Sequence, residues 1–231
     1  ALTINPATLI ISGSKTYDGS RSFTSTNSTL TISGFLNGES LGAGAVITAT
    51  ANSANALIST NYFNSVNWTA GTGSNIALAS NYQVPTSYSA TNNVATITPA
   101  SITITGNKSF DGSATFSAGN TVVGGLLNGD TLASATASNI NVVANGSNYF
   151  TTFALANGGV ASNYQLVSTG YNITNNAATI NRQLITPNYS VLATRTGQST
   201  YTIMSVDLYG VPGMAANAPA TLTYSSVVPM N

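Results

Sequence analysis

The segment Lys15-Thr-Tyr-Asp-Gly19 decides how this chain is built, because it returns as Lys108-Ser-Phe-Asp-Gly112. Three further blocks return in the same order and indicate that a whole module is duplicated in tandem. They are Gly34 to Leu41 at Gly125 to Leu132, Ala79 to Gln83 at Ala161 to Gln165, and Asn92 to Ile97 at Asn175 to Ile180. Repeat architectures usually build length or surface rather than a single catalytic cleft.

The repeated blocks divide the chain into three segments. We predict a first module with an N-terminal strand over residues 1–99, a second module over residues 100–182, and a C-terminal β segment over residues 183–231. The C-terminal segment lacks the repeated blocks and is too short to hold a core alone. We therefore expect it to complete the second module or to dock on a neighbouring subunit. The first module is the longer one, and we expect its extra residues in a loop around residues 52–68.

Alternating side chains predict short strands throughout both modules. Ser101–Thr105 places Ile102 and Ile104 on one face, and Thr29–Ser33 alternates in the same way. Asn-Gly and Asp-Gly dipeptides, which favour tight turns, separate such runs. No stretch has convincing helical periodicity. The predicted fold is all-β, with small sandwich-like modules that stack end to end because Pro99 leaves almost no slack between them.

The composition narrows the classes of function. Only 4% of the residues are charged and the net charge is zero, so nucleic acid and anionic membranes have no electrostatic attraction to this chain. The chain has no His and no Cys, which removes the commonest general base, nucleophile pairs and metal ligands. No apolar run approaches the roughly 18 residues that span a bilayer. We expect no cofactor, no membrane insertion and an extracellular location.

The rare charges are concentrated in the repeated blocks. The chain has five basic and five acidic residues, and six of these ten occupy matched positions. One interpretation is structural: each Asp caps its own turn and each Lys pairs with a nearby carboxylate. The alternative is a Lys–Asn or Lys–Asp isopeptide bond assisted by a buried acid. The candidate positions are Lys15, Asp18, Glu39 and Asn81 in the first module and Lys108, Asp111, Asp130 and Asn163 in the second.

Trp68 is the single tryptophan of the chain and has Leu155 as its counterpart in the second module. Beside an extra loop, its ring would suit stacking on a sugar. The alternative is a packing role, like that of the repeated Tyr and Phe residues.

The four blocks resemble the YDG-type repeat of large bacterial surface proteins, which include filamentous-haemagglutinin-like adhesins exported by two-partner secretion. In that family a module typically opens with Lys-x-Tyr-Asp-Gly, continues with a Gly-Asp turn and an Asn-Tyr segment, and closes with Ala-Thr-Ile-Thr-Pro. The first module matches in order; the second has Phe110 in place of Tyr and lacks the closing Thr-Pro. The resemblance implies an extracellular β-rich spacer or adhesive stalk without catalytic residues.

Three hypotheses about function follow. The leading one is a structural surface protein that forms part of a stalk or polymerises as a homo-oligomeric filament, with residues 1–11 or 221–228 as candidate donor strands. The second is a monomeric module that binds a glycan or matrix ligand through Trp68. The third is an enzyme, which the scarcity of acids and the absence of His and Cys disfavour. A calcium site at Asp18 with Glu39, or Asp111 with Asp130, is also disfavoured because such sites gather several carboxylates.

Overall fold

The computed structural model describes residues 3–183, 193–195 and 201–203. Within these residues the protein is all-β: strands are joined by turns and by four 3-10 helices of one turn each, at Ala79–Asn81, Ala118–Asn120, Val142–Ala144 and Ala161–Asn163. The strands of the first module are β1 (Ala7–Thr8), β2 (Ile10–Thr16), β3 (Ser22–Phe23), β4 (Thr29–Ser33), β5 (Val46–Ala51), β6 (Phe63–Thr69), β7 (Tyr82–Gln83) and β8 (Asn93–Thr98). Those that follow are β9 (Ala100–Ser109), β10 (Thr115–Ser117), β11 (Thr121–Gly124), β12 (Leu132–Ala137), β13 (Phe150–Leu155), β14 (Tyr164–Leu166), β15 (Asn176–Asn181), β16 (Ala193–Arg195) and β17 (Tyr201–Ile203).

The first module contains two three-stranded sheets. One has the order β4-β2-β8 and the other β3-β5-β6, and β1 pairs with β7 at the start of the module. Phe23 and Phe63 of the second sheet meet edge to face at 4.9 Å and are fully buried. Gly13 of β2 lies against the Phe63 ring, where a Cβ atom would be 2.9 Å from it. Because Gly13 has no side chain, the two aromatic rings have room to pack between the sheets.

The second module repeats this plan. Its sheets are β11-β9-β15 and β10-β12-β13, and β14 pairs with the first residues of β9. Phe116 and Phe150 form the same edge-to-face pair at 5.1 Å, and Gly106 lies against them as Gly13 does in the first module. The ten residues of β9 combine the roles that β1 and β2 share in the first module.

The path of the chain explains how the modules follow each other. In the first module β8 runs parallel beside β2, with Ile11 opposite Asn93 and Thr16 opposite Thr98. The chain therefore leaves the module at the end toward which β2 runs. Only Pro99 separates β8 from β9. Buried side chains of both modules, including Ile97, Ala100 and Ile102, belong to one continuous hydrophobic cluster across this junction.

Several local predictions are confirmed. Ile102 and Ile104 are both fully buried on one face of β9, and Thr29–Ser33 forms β4. The dipeptides Asn37-Gly38 and Asn128-Gly129 have positive φ at both residues, as tight hairpin turns require.

The predicted place of the extra residues is wrong. Residues 52–62 join β5 to β6, and the matching segment 138–149 of the second module is no shorter. The additional residues lie instead between β4 and β5 and between β6 and β7, where Ala43 bridges Thr72 and Ser40 bridges Ile76. They extend the β5–β6 hairpin beyond Val46 and Thr69. Length alone could not locate them, because two separate insertions add up to the observed difference.

In the C-terminal segment the structure describes two short strands, β16 and β17, which pair antiparallel with Ala193 opposite Ile203. The strand expected at residues 221–228 lies outside the described residues, as does the start of the N-terminal strand at residues 1 and 2.

Candidate interaction surface

The Lys15 ammonium group is enclosed by the turn that follows it. Its Nζ donates hydrogen bonds to Asp18 Oδ1 at 2.6 Å, to Ser20 O at 2.8 Å and to Ser22 O at 2.9 Å, and it lies 4.9 Å from the centre of the Phe23 ring. Buried ammonium groups need this full set of acceptors to offset their lost hydration. Lys15 therefore ties the Tyr-Asp-Gly turn to the core.

The second module repeats the arrangement. Lys108 Nζ donates to Asp111 Oδ1 at 2.7 Å, to Ser113 O at 2.7 Å and to Thr115 O at 2.8 Å. The hydrogen bond from Lys108 is the main cause that lowers the pKa of Asp111. For Asp18, partial burial acts to raise the pKa, but the bonds from Lys15 and from the Ser20 amide outweigh it and the pKa is lowered. The structural interpretation of the Lys and Asp positions agrees with these contacts.

The acids at Glu39 and Asp130 have a different partner. Tyr82 Oη donates to Glu39 Oε2 at 2.5 Å, and Tyr164 Oη donates to Asp130 Oδ2 at 2.7 Å. The bond to Glu39 raises the pKa of Tyr82, and burial together with Asp130 raises the pKa of Tyr164. Both acids thus bind the Asn-Tyr block rather than the Lys turn.

The isopeptide hypothesis stays a prediction that a mass measurement tests. The structure brings Lys15 to Asp18 and Lys108 to Asp111, each as an ion pair. Asn81 is exposed, and Asn163 is buried in the contact between the two modules. An intact mass lower by one ammonia or one water per bond is the expected sign of such a linkage.

In each module one buried asparagine joins the two sheets, a role that the sequence patterns did not predict. Asn93 of β8 accepts from the Phe63 amide at 2.8 Å and donates to Phe63 O at 2.9 Å and to Pro85 O at 2.6 Å. Asn176 makes the matching bonds to Phe150 and Ser168. The available signal was the recurrence of Asn inside an otherwise apolar strand block.

The two modules meet through residues of their repeated blocks and through the loop that joins β5 to β6 in the first module. We call Tyr17, Gly19, Ala54, Asn55 and Ala56 the C-face of the first module, and we call Leu127, Asn128, Asn163 and Tyr164 the N-face of the second. The rings of Tyr17 and Tyr164 lie edge to face, with centroids 5.3 Å apart. Asn128 Nδ2 donates to Tyr17 Oη at 3.4 Å and occupies the space beside Gly19.

Asn163 is the centre of this contact. Its Oδ1 accepts from the Ala56 amide at 2.8 Å, and its Nδ2 donates to Asn55 Oδ1 at 3.1 Å. Asn163 is 2% exposed and Ala56 is 1% exposed. The matched residue Asn81 is exposed. The same sequence block therefore has a buried binding role in the second module and an exposed surface in the first.

Trp68 is half-buried and packs against a small cluster formed by Leu9, Ala77 and Tyr82. It also lines a groove of about 290 Å³ together with polar and apolar side chains: Phe63, Asn64, Ser65, Val66, Val84, Pro85 and Thr86. The ring thus contributes to packing and to an open groove.

Across residues 3–183 and the two short strands after them, no group of three or more acidic residues gathers in a way that would hold a metal ion. In the same part of the chain, no helix is long and apolar enough to cross a membrane.

Comparison with known proteins gives no relative. No family model, no curated protein and no solved structure matches this chain.

Proposed function

We propose that this chain is an extracellular structural or adhesive protein of a bacterial surface, in which the modules form part of a stalk or polymerise into a fibre. The observation that carries the proposal is the contact between the modules. Asn163, Tyr164 and Asn128 bind the C-face of the first module in a way that fixes one module against the next.

The short connection between the modules supports a mechanical role. A one-residue link at Pro99 and a hydrophobic cluster that continues across the junction both restrict motion between the modules. A spacer needs such restriction, because a flexible link would let it collapse on itself. The nearly uncharged surface and the resemblance to YDG-type repeats favour an extracellular location. We propose no enzymatic activity and no cofactor.

Donation of the N-terminal strand is the less favoured route to a fibre. Residues 7 and 8 pair with β7, and residues 10–16 lie between β4 and β8 in their own module. A donated strand would have to leave all of these partners. Contact between module faces needs no such exchange, and it is therefore the form of assembly that we favour.

The second candidate function is a monomeric module that binds a glycan or matrix ligand. The observation that favours it is the groove beside Trp68, since aromatic rings flanked by amide and hydroxyl groups suit sugars. Binding on a glycan array that is lost in Trp68→Ala and kept in Trp68→Phe would support this candidate. Binding that does not depend on position 68 would remove it.

The leading proposal is tested by locating the protein on intact bacteria. We expect gold-labelled antibodies to mark whole cells and external protease to remove the signal, with a cytoplasmic protein as the protected control. Label that appears only after lysis would refute the proposed function, whatever the protein does in solution.

A further inference from the structure

The outer end of the first module exposes apolar side chains. Leu36 is 54% exposed, Val46 53% and Leu78 61%. Two of them come from segments that meet near Tyr82: the Leu36 amide donates to Tyr82 Oη, and Leu78 precedes the short helix that leads to Tyr82. Exposed apolar side chains that lie close together on a surface mark an interaction site, so this face has the character of an interaction surface.

The outer end of the second module is apolar at matching positions. Where the C-face of the first module has Ala54, Ala56 and Tyr17, the second has Ile140, Val142 and Phe110. The correspondence rests on equivalent loop bonds, since the amides of Asn55 and Asn141 are bound by Ser53 and Asn139 respectively. Ile140 is 39% exposed, and Phe110 and Val142 are half-buried.

A comparison of two glycines shows that no described residue fills the space beside Gly112 in the second module. A Cβ atom on Gly19 would overlap the amide group of Asn128, which fills the space beside it. A Cβ atom on Gly112 would meet no described atom within 4 Å. The turns around both glycines are otherwise alike, with φ of 78° and 77°. The position that Asn128 fills in the internal contact is therefore open among the described residues of the second module.

We propose that the N-face of the first module (Leu36, Asn37, Leu78, Asn81 and Tyr82) binds the C-face of the second module (Phe110, Gly112, Ile140, Asn141 and Val142) of another copy of this chain. This inference rests on the proposed function and names the surface and the partner through which copies associate. The internal contact between the two modules is its template.

Two asparagines provide the polar part of the contact. Asn37 has the same left-handed backbone as Asn128, with φ of 54° and 55°, and it takes the open space beside Gly112. Asn81 bonds the Asn141 side chain and the Val142 amide, as Asn163 bonds Asn55 and Ala56. Asn37 lies in a tight turn and Asn81 ends a one-turn 3-10 helix, so both backbones are already ordered and few degrees of freedom are lost on association.

The aromatic part differs from the template. Phe35 already lies edge to face on Tyr82, with centroids 5.2 Å apart, and Phe110 lacks the hydroxyl that Asn128 binds on Tyr17. Aliphatic packing replaces these contacts, with Leu36 and Leu78 buried against Ile140 and Val142. Ile140 and Val142 are larger than Ala54 and Ala56, their counterparts in the internal contact. The additional apolar burial offsets the cost of bringing two separate chains together, which the covalent link at Pro99 reduces for the internal contact.

The contact joins two different faces, so it is heterologous. Each added copy leaves one N-face and one C-face free, and association therefore extends the assembly unless the rotation closes a ring.

The decisive experiment uses two charge variants of the full chain. Leu36→Asp blocks the N-face and Ile140→Asp blocks the C-face, and both positions are exposed enough to leave the fold intact, which circular dichroism checks. We expect the mass of the native protein in sedimentation velocity to rise with concentration and each variant alone to stay monomeric. An equimolar mixture should form dimers and nothing larger, because one intact N-face meets one intact C-face.

Controls make the result specific. Ile173→Asp, at a position that is 73% exposed and outside both faces, should assemble like the native protein. A native protein that stays monomeric at all concentrations, or a mixture that stays monomeric, would overturn the inference. Loss of assembly in Ile173→Asp would do the same.

A crosslink tests the register, since the chain has no cysteine of its own. A mixture of Asn81→Cys and Asn141→Cys chains with a short bis-maleimide should give mixed dimers in several-fold excess over those of either chain alone. Asn55→Cys with Asn163→Cys in one chain is the positive control.

Two outcomes of the crosslink would overturn the proposal. One is an equal yield of all dimers. The other is protection of the thiol introduced by Asn141→Cys from a small maleimide in the monomer, because the C-face of the second module would then be covered within its own chain. Surface labelling of cells is independent of both results, so it distinguishes failure of this contact from failure of the proposed function.

Discussion

Replacement of Asn93 by Ala should destabilise the first module strongly. The side chain is fully buried and serves three backbone groups: the Phe63 amide and the carbonyls of Phe63 and Pro85, at 2.8, 2.9 and 2.6 Å. Each buried group left without a partner costs about 1–3 kcal/mol, so we expect a loss of about 3 kcal/mol or more in the free energy of unfolding. This corresponds to roughly a hundredfold change in the folding equilibrium.

Urea unfolding measures the effect, with Trp68 as a fluorescent reporter inside the first module. Asn92→Ala is the matched control: the neighbouring side chain makes no hydrogen bond to a described residue, and a change within about 0.5 kcal/mol is expected. A loss for Asn93→Ala within about 1 kcal/mol of the control would refute the reasoning that this amide joins the two sheets.

Three further predictions concern the turns and the junction. Gly19→Ala and Gly112→Ala both place a side chain on left-handed backbone, which costs about 1 kcal/mol. Only Gly19→Ala also displaces Asn128, so urea unfolding of dilute protein should show a larger loss in the free energy of unfolding for Gly19→Ala. Equal losses would contradict the contact between Gly19 and Asn128. The pKa of Asp18 is lowered from 3.8, so its carboxylate contributes stability that is fully present above that pH and is lost as pH falls through the lowered value. Asp18→Asn should therefore flatten the acid side of a plot of urea midpoint against pH, and an unchanged slope would count against the ion pair. The pKa of Tyr164 is raised from 10.0, so stability should decline as pH rises above 10.0. Tyr164→Phe should lessen this decline and remove one phenolate step above pH 10.0 from the absorbance titration of the native protein; a native titration that matches the unfolded one would contradict this.

Much of the fold was predictable because its signals are local. The alternation around Ile102 and the Asn-Gly turns at Asn37 and Asn128 depend on side-chain direction and on φ, which neighbouring residues determine. The role of Lys15 was predictable in kind, since its acceptor Asp18 is three residues away. The position of the extra residues was not, because two insertions far apart in sequence pair with each other only in the folded hairpin.

The contact between the modules was harder to predict from the sequence. Asn81 and Asn163 stand in identical blocks, and both were predicted as candidates for the same role. Only the folded chain separates them, because Asn163 binds the loop at Asn55 whereas Asn81 is exposed. Likewise, Gly19 and Gly112 have the same place in the same turn motif, although Gly19 is in contact with Asn128 and Gly112 has no described residue within 4 Å of its Cβ position.

The sequence by itself determined that this protein is all-β, that it contains one module twice and that each module keeps its own Lys-Asp turn. These properties follow from short-range patterns that are the same wherever the block occurs. The tertiary structure decided which copies of those identical residues are buried. Burial depends on what lies beside a residue in space, and the two modules differ in that respect: the N-face of the second module has a neighbour within the chain, and the N-face of the first has none among the residues that the structure describes.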